Sequence, residues 1–216
     1  RKVGYLFQNY ALFPNMTVEE NIAASLSYLK RGKQQKIEEM IRRFQLQGLE
    51  KRFPMQLSGG QQQRTALARI LAYEPEVIML DEPFSALDFY LREKLQTELK
   101  DLLKGYQGDV ILVTHSRDEA YRLCDQLLVL DRGQTVARGD TKEMFRNPQL
   151  LSVAQLTGCK NFSRTKILDK NHIEAIDWGI VLQTAESIPS DSDYIGIRAH
   201  DFRPAQAEEK NAFPIA

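Results

Sequence analysis

Leu57-Ser58-Gly59-Gly60-Gln61-Gln62-Gln63-Arg64, followed by Val77-Ile78-Met79-Leu80 and then Asp81-Glu82-Pro83, decides how this chain folds. Ser58 with Gln61 three residues on is a capping-box spacing, and Gln61 to Tyr73 is rich in Gln, Arg, Ala and Leu, all compatible with a helix. Gly59 and Gly60 remove side chains where a ligand would approach the backbone. A helix N-terminus presents unpaired N–H groups and partial positive charge, which suits a phosphate. Taken alone, Ser-Gly-Gly-Gln also describes an ordinary capped helix. Its place shortly before an acidic strand favours the phosphate cradle.

Val77 to Leu80, bounded by Pro75 and Pro83, reads as a strand buried on both faces of a parallel sheet. Ligands of such sheets bind beyond the carboxyl ends of the strands, where Asp81 and Glu82 fall. Adjacent strand residues point to opposite sides, so the two acids are expected to do different work, one at a Mg²⁺ ion and one at a water. Nucleotide hydrolysis is the chemistry implied. The 216 residues contain no Gly-x-x-x-x-Gly-Lys-Ser/Thr stretch, the usual phosphate loop.

Residues 1 to 158 resemble the nucleotide-binding subunit of an ABC transporter. Gln8, ending the strand-like Lys2 to Phe7, matches the Q-loop glutamine, and Leu57 to Gln61 matches the signature motif. Leu80 to Pro83 matches the end of Walker B, Ser85-Ala86-Leu87-Asp88 the D-loop, and Val113-Thr114-His115 the switch-histidine segment. The five motifs stand in the family's order.

The resemblance implies a head-to-tail dimer with ATP between one subunit's Walker A loop and the other's signature helix. By that analogy Ser58, Gly59, Gly60 and Gln61 form the cofactor-binding turn, with Ser58 and Gly60 touching the γ-phosphate of ATP held mainly by the partner. Asp81 organises Mg²⁺, with Gln8 approaching both the metal and the attacking water. Glu82 is the expected general base, His115 contacts the γ-phosphate, and Asp88 ties the two sites together. For His115 the alternative is a polar strand end. Its place after Val110-Ile111-Leu112-Val113, a second buried parallel strand beside the first, favours a functional role. Phosphoryl transfer depends on positioning and charge neutralisation, so these groups are expected to act only in the closed dimer.

Between these motifs lies a helical insertion, about residues 15 to 75. Thr17 and Glu20 form a second capping box, opening a helix through about Leu29. Gln34 to Leu46 places Ile37, Met40, Ile41 and Phe44 at core spacing. This resembles the family's helical subdomain, which docks the membrane permease subunit, and Phe13 to Ile22 looks like the importer type. Tyr10, Leu12 and Phe13 can serve that docking or simply pack the local core.

Lys plus Arg and Asp plus Glu both total 29, so no basic field for nucleic acid exists. The apolar runs are far shorter than a bilayer span and no signal-peptide pattern opens the chain, so attachment to the cytoplasmic side of the membrane is expected through the permease. Cys124 and Cys159 are too few for a disulfide scaffold and read as reduced thiols. His172 and His200 have no ligand cluster near them at metal spacing and read as surface residues.

Asp88 to about Lys104 is an amphipathic helix with Leu91, Leu95, Leu99, Leu102 and Leu103 on one side. Ser116 caps a short helix to Leu123, and Gln126 to Leu130 and Gln134 to Arg138 form a hairpin around Asp131-Arg132-Gly133. Two short helices follow, Thr141 to Phe145 and Leu150 to Leu156. After Gly158, strands are expected at Ser163 to Leu168, His172 to Ala175, Ile180 to Thr184 and Tyr194 to Arg198. Residues 159 to 216 resemble the start of the OB-like, TOBE-type β domain of importer subunits. Thr157 to Asn161 and Ile195 to Asp201 look most like molybdate importers.

The expected fold is therefore α/β: a partial ABC-type P-loop NTPase domain over 1 to 158, then a truncated β-rich domain. The expected function is the ATP-hydrolysing subunit of an importer for molybdate or another oxyanion, with ATP and Mg²⁺ as cofactors. A second copy and a permease are the expected partners, and a solute-binding protein acts indirectly. Sulfate, iron, sugar or polyamine import, a soluble ABC ATPase and an oxyanion-sensing module are the alternatives. Arg1 is no natural start, so the chain reads as a fragment trimmed at both ends, expected to be inactive alone for want of Walker A.

Overall fold

The computed structural model describes residues 2–29, 31–85, 87, 89–206 and 209–213. Chain contacts divide it into two units, Arg1–Cys124 and Asp125–Ala216.

The first unit is built on a parallel sheet. Strand β1 (Val3–Leu6) lies beside β2 (Val77–Asp81), and β2 lies beside β3 (Asp109–Val113), all parallel in the order β1-β2-β3. The register pairs Leu6 with Leu80 and Asp81 with Val113, so the carboxyl ends of all three strands lie together. Helix α1 (Val18–Ala24) begins at the Thr17 capping box and ends five residues before Leu29. Helix α2 (Lys33–Arg43) buries Ile37, Met40 and Ile41, and α3 (Gly59–Ala72) starts at Ser58. Helix α4 (Phe89–Leu102) buries Leu95 and Leu99, and α5 (Arg117–Leu123) is capped by Ser116.

The core joins one face of the sheet to the helices. Leu6, Ile78 and Leu80 meet Ala66, Leu67, Ile70 and Leu71 of α3 and Leu95 and Leu99 of α4. Gly4 is required there, because a Cβ at that position would stand 2.3 Å from Ile70 Cγ2. The opposite face departs from expectation. Val3, Tyr5, Phe7, Ile111 and Val113 are exposed, so β2 and β3 are not buried on both faces. Among the described residues helices cover only the side that carries Ile78 and Leu80, which explains the alternation of buried and half-buried residues along β2.

Around the helices, the buried Asn21 side chain accepts from Phe13 N–H and donates to the carbonyls of Phe13, Met16 and Thr17. Tyr10 is core, Leu12 packs against it partly buried, and Phe13 is exposed with the Arg69 guanidinium 5.2 Å from its ring.

The second unit opens with an antiparallel hairpin, β4 (Gln126–Asp131) and β5 (Gln134–Asp140). Arg132 and Gly133 both take positive φ in its two-residue turn, as a primed turn requires. Helices α6 (Thr141–Arg146) and α7 (Leu151–Leu156) follow. Strands β6 (Asn161–Ile167), β7 (His172–Ala175), β8 (Ile180–Gln183) and β9 (Tyr194–Ile197) then form an antiparallel sheet ordered β8-β7-β6-β9. Its small core holds Ile173, Ala175 and Leu182. Arg198 ties this sheet to the preceding helices through the carbonyls of Thr157 and Phe145.

Candidate nucleotide site

The site grows from the ends of the three parallel strands. β1 delivers Gln8 just past its end, β2 delivers Asp81 and Glu82, and β3 leads through Thr114 to His115. His115 Nδ1 lies 3.0 Å from Glu82 Oε1. A carboxylate oxygen can only accept, so Nδ1 carries the shared proton, and Nε2 can donate to a further acceptor only in the doubly protonated ring. Thr114 bonds the Glu119 carboxylate and accepts from Ser116 N–H, fixing the strand end before the histidine.

Glu82 is not a strand residue. Its φ of 42° is left-handed, while its N–H still donates to Val113 O at 2.9 Å and so continues the ladder to β3. A non-glycine residue held this way costs about 1–3 kcal/mol and persists where its surroundings over-determine it. Those surroundings are visible. Ser85 N–H and Oγ both donate to Glu82 O, at 3.2 and 3.0 Å, and Gln8 Nε2 donates to Ser85 Oγ at 2.9 Å. Asp81 meets a different partner, accepting from the Tyr5 hydroxyl at 2.9 Å on Oδ2. The two acids thus have separate neighbours because a left-handed turn divides them, where simple strand alternation was expected to do so. The bond to Asp81, with burial and the carboxylate charge behind it, raises the Tyr5 phenol above its ordinary value.

Ser58 begins α3 with both halves of a capping box. Its N–H donates to Gln61 Oε1 at 2.9 Å, and its hydroxyl accepts from Gln61 N–H at 3.4 Å. Gly60 is buried, Gly59 and Gln61 half-buried, and Ser58 exposed. Among the described residues no hydrogen bond joins this turn directly to Glu82 or His115. The connection runs through α3 instead: buried Gln63 donates to Pro83 O at 3.3 Å, and a Cβ on Gly59 would stand 3.2 Å from Leu87. Asp88 and Ala86, and the side chain of Leu91, lie outside the described residues.

Tyr5 is the member of this network that sequence reading passed over, while Gln63 and Ser85 stood inside the quoted motifs without a role of their own. Tyr5 shares a sheet face with Asp81, a relation visible only once β1 is known to pair with β2 in register Tyr5 to Met79. His172, half-buried, opens β7 with its Nδ1 bonded to Asp169, and His200 is exposed.

The donor set suits a hard cation. Asp81 offers carboxylate oxygen, and Gln8, with its Nε2 engaged by Ser85, offers an amide oxygen. Among the described residues no three His, Cys, Asp or Glu side chains cluster into a metal cage.

A parallel sheet carries two divided acids and a histidine at its strand ends, and a capped Ser-Gly-Gly helix lies in the same unit. The ABC transporter family model matches residues 1–85, and the chain is similar over most of its length to import ATP-binding proteins of that family. It is 36% identical over 223 residues to the sulfate/thiosulfate import ATP-binding protein CysA of Vibrio vulnificus, covering 100% of this chain and 63% of that protein. It is 43% identical over 185 residues to the spermidine/putrescine import ATP-binding protein PotA of Spiroplasma citri, covering 82% and 51% respectively. The chain therefore spans about half to two thirds of the length of these relatives. A solved dimeric ATP-binding cassette in a post-hydrolysis state, bound to ADP and Pi, shares the fold with a TM-score of 0.54 and 33% identity, over 65% of this chain and 63% of that one.

Proposed function

We propose that this chain supplies the signature turn, metal carboxylate, general base and switch histidine of an ATP-hydrolysing importer subunit. The observation that carries this reading is the 3.0 Å contact between His115 Nδ1 and Glu82 Oε1 at the ends of neighbouring parallel strands. Bound Mg²⁺ supplies charge neutralisation on the transferring phosphoryl group. Asp81 and Gln8 hold the metal side. Glu82 orients a water and takes its proton, held by the Ser85 hydrogen bonds at its carbonyl. His115, fixed by Glu82 through Nδ1, presents Nε2–H of its doubly protonated ring to the phosphate, and Ser58 to Gln61 cradle the γ-phosphate of ATP bound mainly by a second copy. Asp88 links the two sites across that dimer.

The subunit sits at the cytoplasmic face of the membrane against a permease, which the helical subdomain of about residues 15 to 75 docks. In keeping with this, no helix among the described residues is long and apolar enough to cross a membrane. The ATPase domain runs to residue 158, and residues 159 to 216 belong to a TOBE-type regulatory domain; the four-stranded β8-β7-β6-β9 sheet supports that reading.

The solute is an oxyanion. The Vibrio relative is named for sulfate and thiosulfate, while Thr157 to Asn161 and Ile195 to Asp201 favour molybdate within the same chemical class. The name of the Spiroplasma relative favours a polyamine as the second reading. Two experiments test the proposal in the full-length protein with its permease. Glu82→Gln should lower ATP hydrolysis by roughly 100-fold or more, as loss of a positioned general base does. Uptake of labelled sulfate, molybdate and spermidine then separates the solutes. Unchanged hydrolysis by Glu82→Gln would reject the catalytic assignment.

A further inference from the structure

We propose that Tyr5 is a positioning residue for the metal carboxylate, its hydroxyl holding Asp81 by Oδ2 so that Oδ1 is presented to the cation. The inference rests on the reading of Asp81 as the Mg²⁺ carboxylate. Tyr5 pairs with Met79 in the parallel register, and Asp81 lies two residues beyond Met79 on the same sheet face, a diagonal within reach of a tyrosine side chain. The hydroxyl closes that diagonal at 2.9 Å. Among the described residues Tyr5 is the side chain that bonds this carboxylate, so the rotation of Asp81 depends on it.

A second contact from the same strand reinforces the arrangement. Gln8, three residues after Tyr5, bonds Ser85, which in turn bonds Glu82 O. The end of β1 thus clamps the Asp81 to Ser85 turn at both edges, Tyr5 at the metal side and Gln8 at the base side. The Tyr5 ring is itself steadied by Phe7, with centroids 4.4 Å apart. Partners that orient a metal-ligating carboxylate are worth roughly 10- to 100-fold in metal affinity.

The test is Mn²⁺ binding to the full-length protein with ATP, read by electron paramagnetic resonance, for wild type, Tyr5→Phe and Asp81→Asn. Tyr5→Phe removes one hydroxyl from a partly exposed ring. It should weaken Mn²⁺ binding roughly 10-fold, leaving metal-free ATP affinity and the metal-free melting temperature unchanged. Wild-type Mn²⁺ affinity in Tyr5→Phe, with Asp81→Asn impaired, overturns the role of Tyr5 and leaves the metal assignment standing. Wild-type affinity in Asp81→Asn overturns that assignment instead. A lowered melting temperature with Mn²⁺ affinity intact makes Tyr5 merely structural and also rejects the proposal.

Discussion

The Glu82 carboxylate and the His115 imidazole meet at 3.0 Å although they are 33 residues apart, because Glu82 N–H extends the β2–β3 ladder one step past the strand. Two groups held this way act as a unit, so their removals should not add. In the full-length protein His115→Ala and Glu82→Gln should each lower ATP hydrolysis by roughly 100-fold or more, and the double variant should be scarcely worse than the poorer single one. Steady-state ATPase rates through the four-member cycle check this.

Ser58 offers a substitution that separates folding from phosphate binding. Aspartate is as good an N-cap as serine, and its charge favours a helix N-terminus, but it repels an anionic ligand there. Ser58→Asp should keep the melting temperature of the wild type and lose ATP hydrolysis. Ser58→Ala should instead cost about 1 kcal/mol of stability. Thermal denaturation alongside ATPase assays separates the two effects.

The α1 cap carries an acid-sensitive contribution. Glu20 accepts from Thr17 N–H at 2.7 Å, and this bond, with the Thr17 side chain, holds its carboxyl below the ordinary glutamate range. A lowered folded value stabilises the protein above the unfolded value, and that stabilisation fades as pH falls through the folded one. Glu20→Gln should therefore be less stable than wild type at neutral pH, with the gap closing at acid pH. Urea unfolding across that range measures it.

Much of this arrangement is legible in the sequence. The Ser58 and Thr17 capping boxes, the strand ending at Asp81 and the hairpin around Arg132-Gly133 all follow from local chemistry, and the structure contains each of them. Exposure of the sheet's second face was not legible, because an apolar run such as Val110 to Val113 looks the same whether one face or both are covered. Nor was the bond from Tyr5 to Asp81, which depends on strand order and register between residues 76 apart in sequence. The left-handed Glu82 carries no sequence mark, since the residue is neither glycine nor asparagine and its conformation is imposed by Ser85 and Val113.

Packing between β1 and α3 is tight enough to be tested with one methyl group. Gly4→Ala would drive Cβ into Ile70 Cγ2, and overpacking of this kind costs about 1–3 kcal/mol. Ile70→Ala removes the colliding atom, so the double variant should be more stable than the sum of the single effects predicts. Chemical denaturation of the four proteins reads the coupling.

Phe84 is fully buried directly after Pro83 and beside Ser85. Phe84→Ala should cost about 3–5 kcal/mol and, by loosening the turn that holds Glu82, lower hydrolysis even at temperatures where the protein stays folded. Activity measured well below the melting temperature separates the two effects.

The most direct test of a composite site is to mix two inactive full-length proteins, one carrying Ser58→Asp and the other Glu82→Gln, and to follow ADP formation in a single turnover. If ATP is shared between the signature turn of one copy and the base of the other, the mixed dimer retains one site with Ser58 and Glu82 both intact, and activity returns on mixing. If each copy works with its own turn and base, both sites remain defective, the mixture stays as inactive as its components, and the account is contradicted.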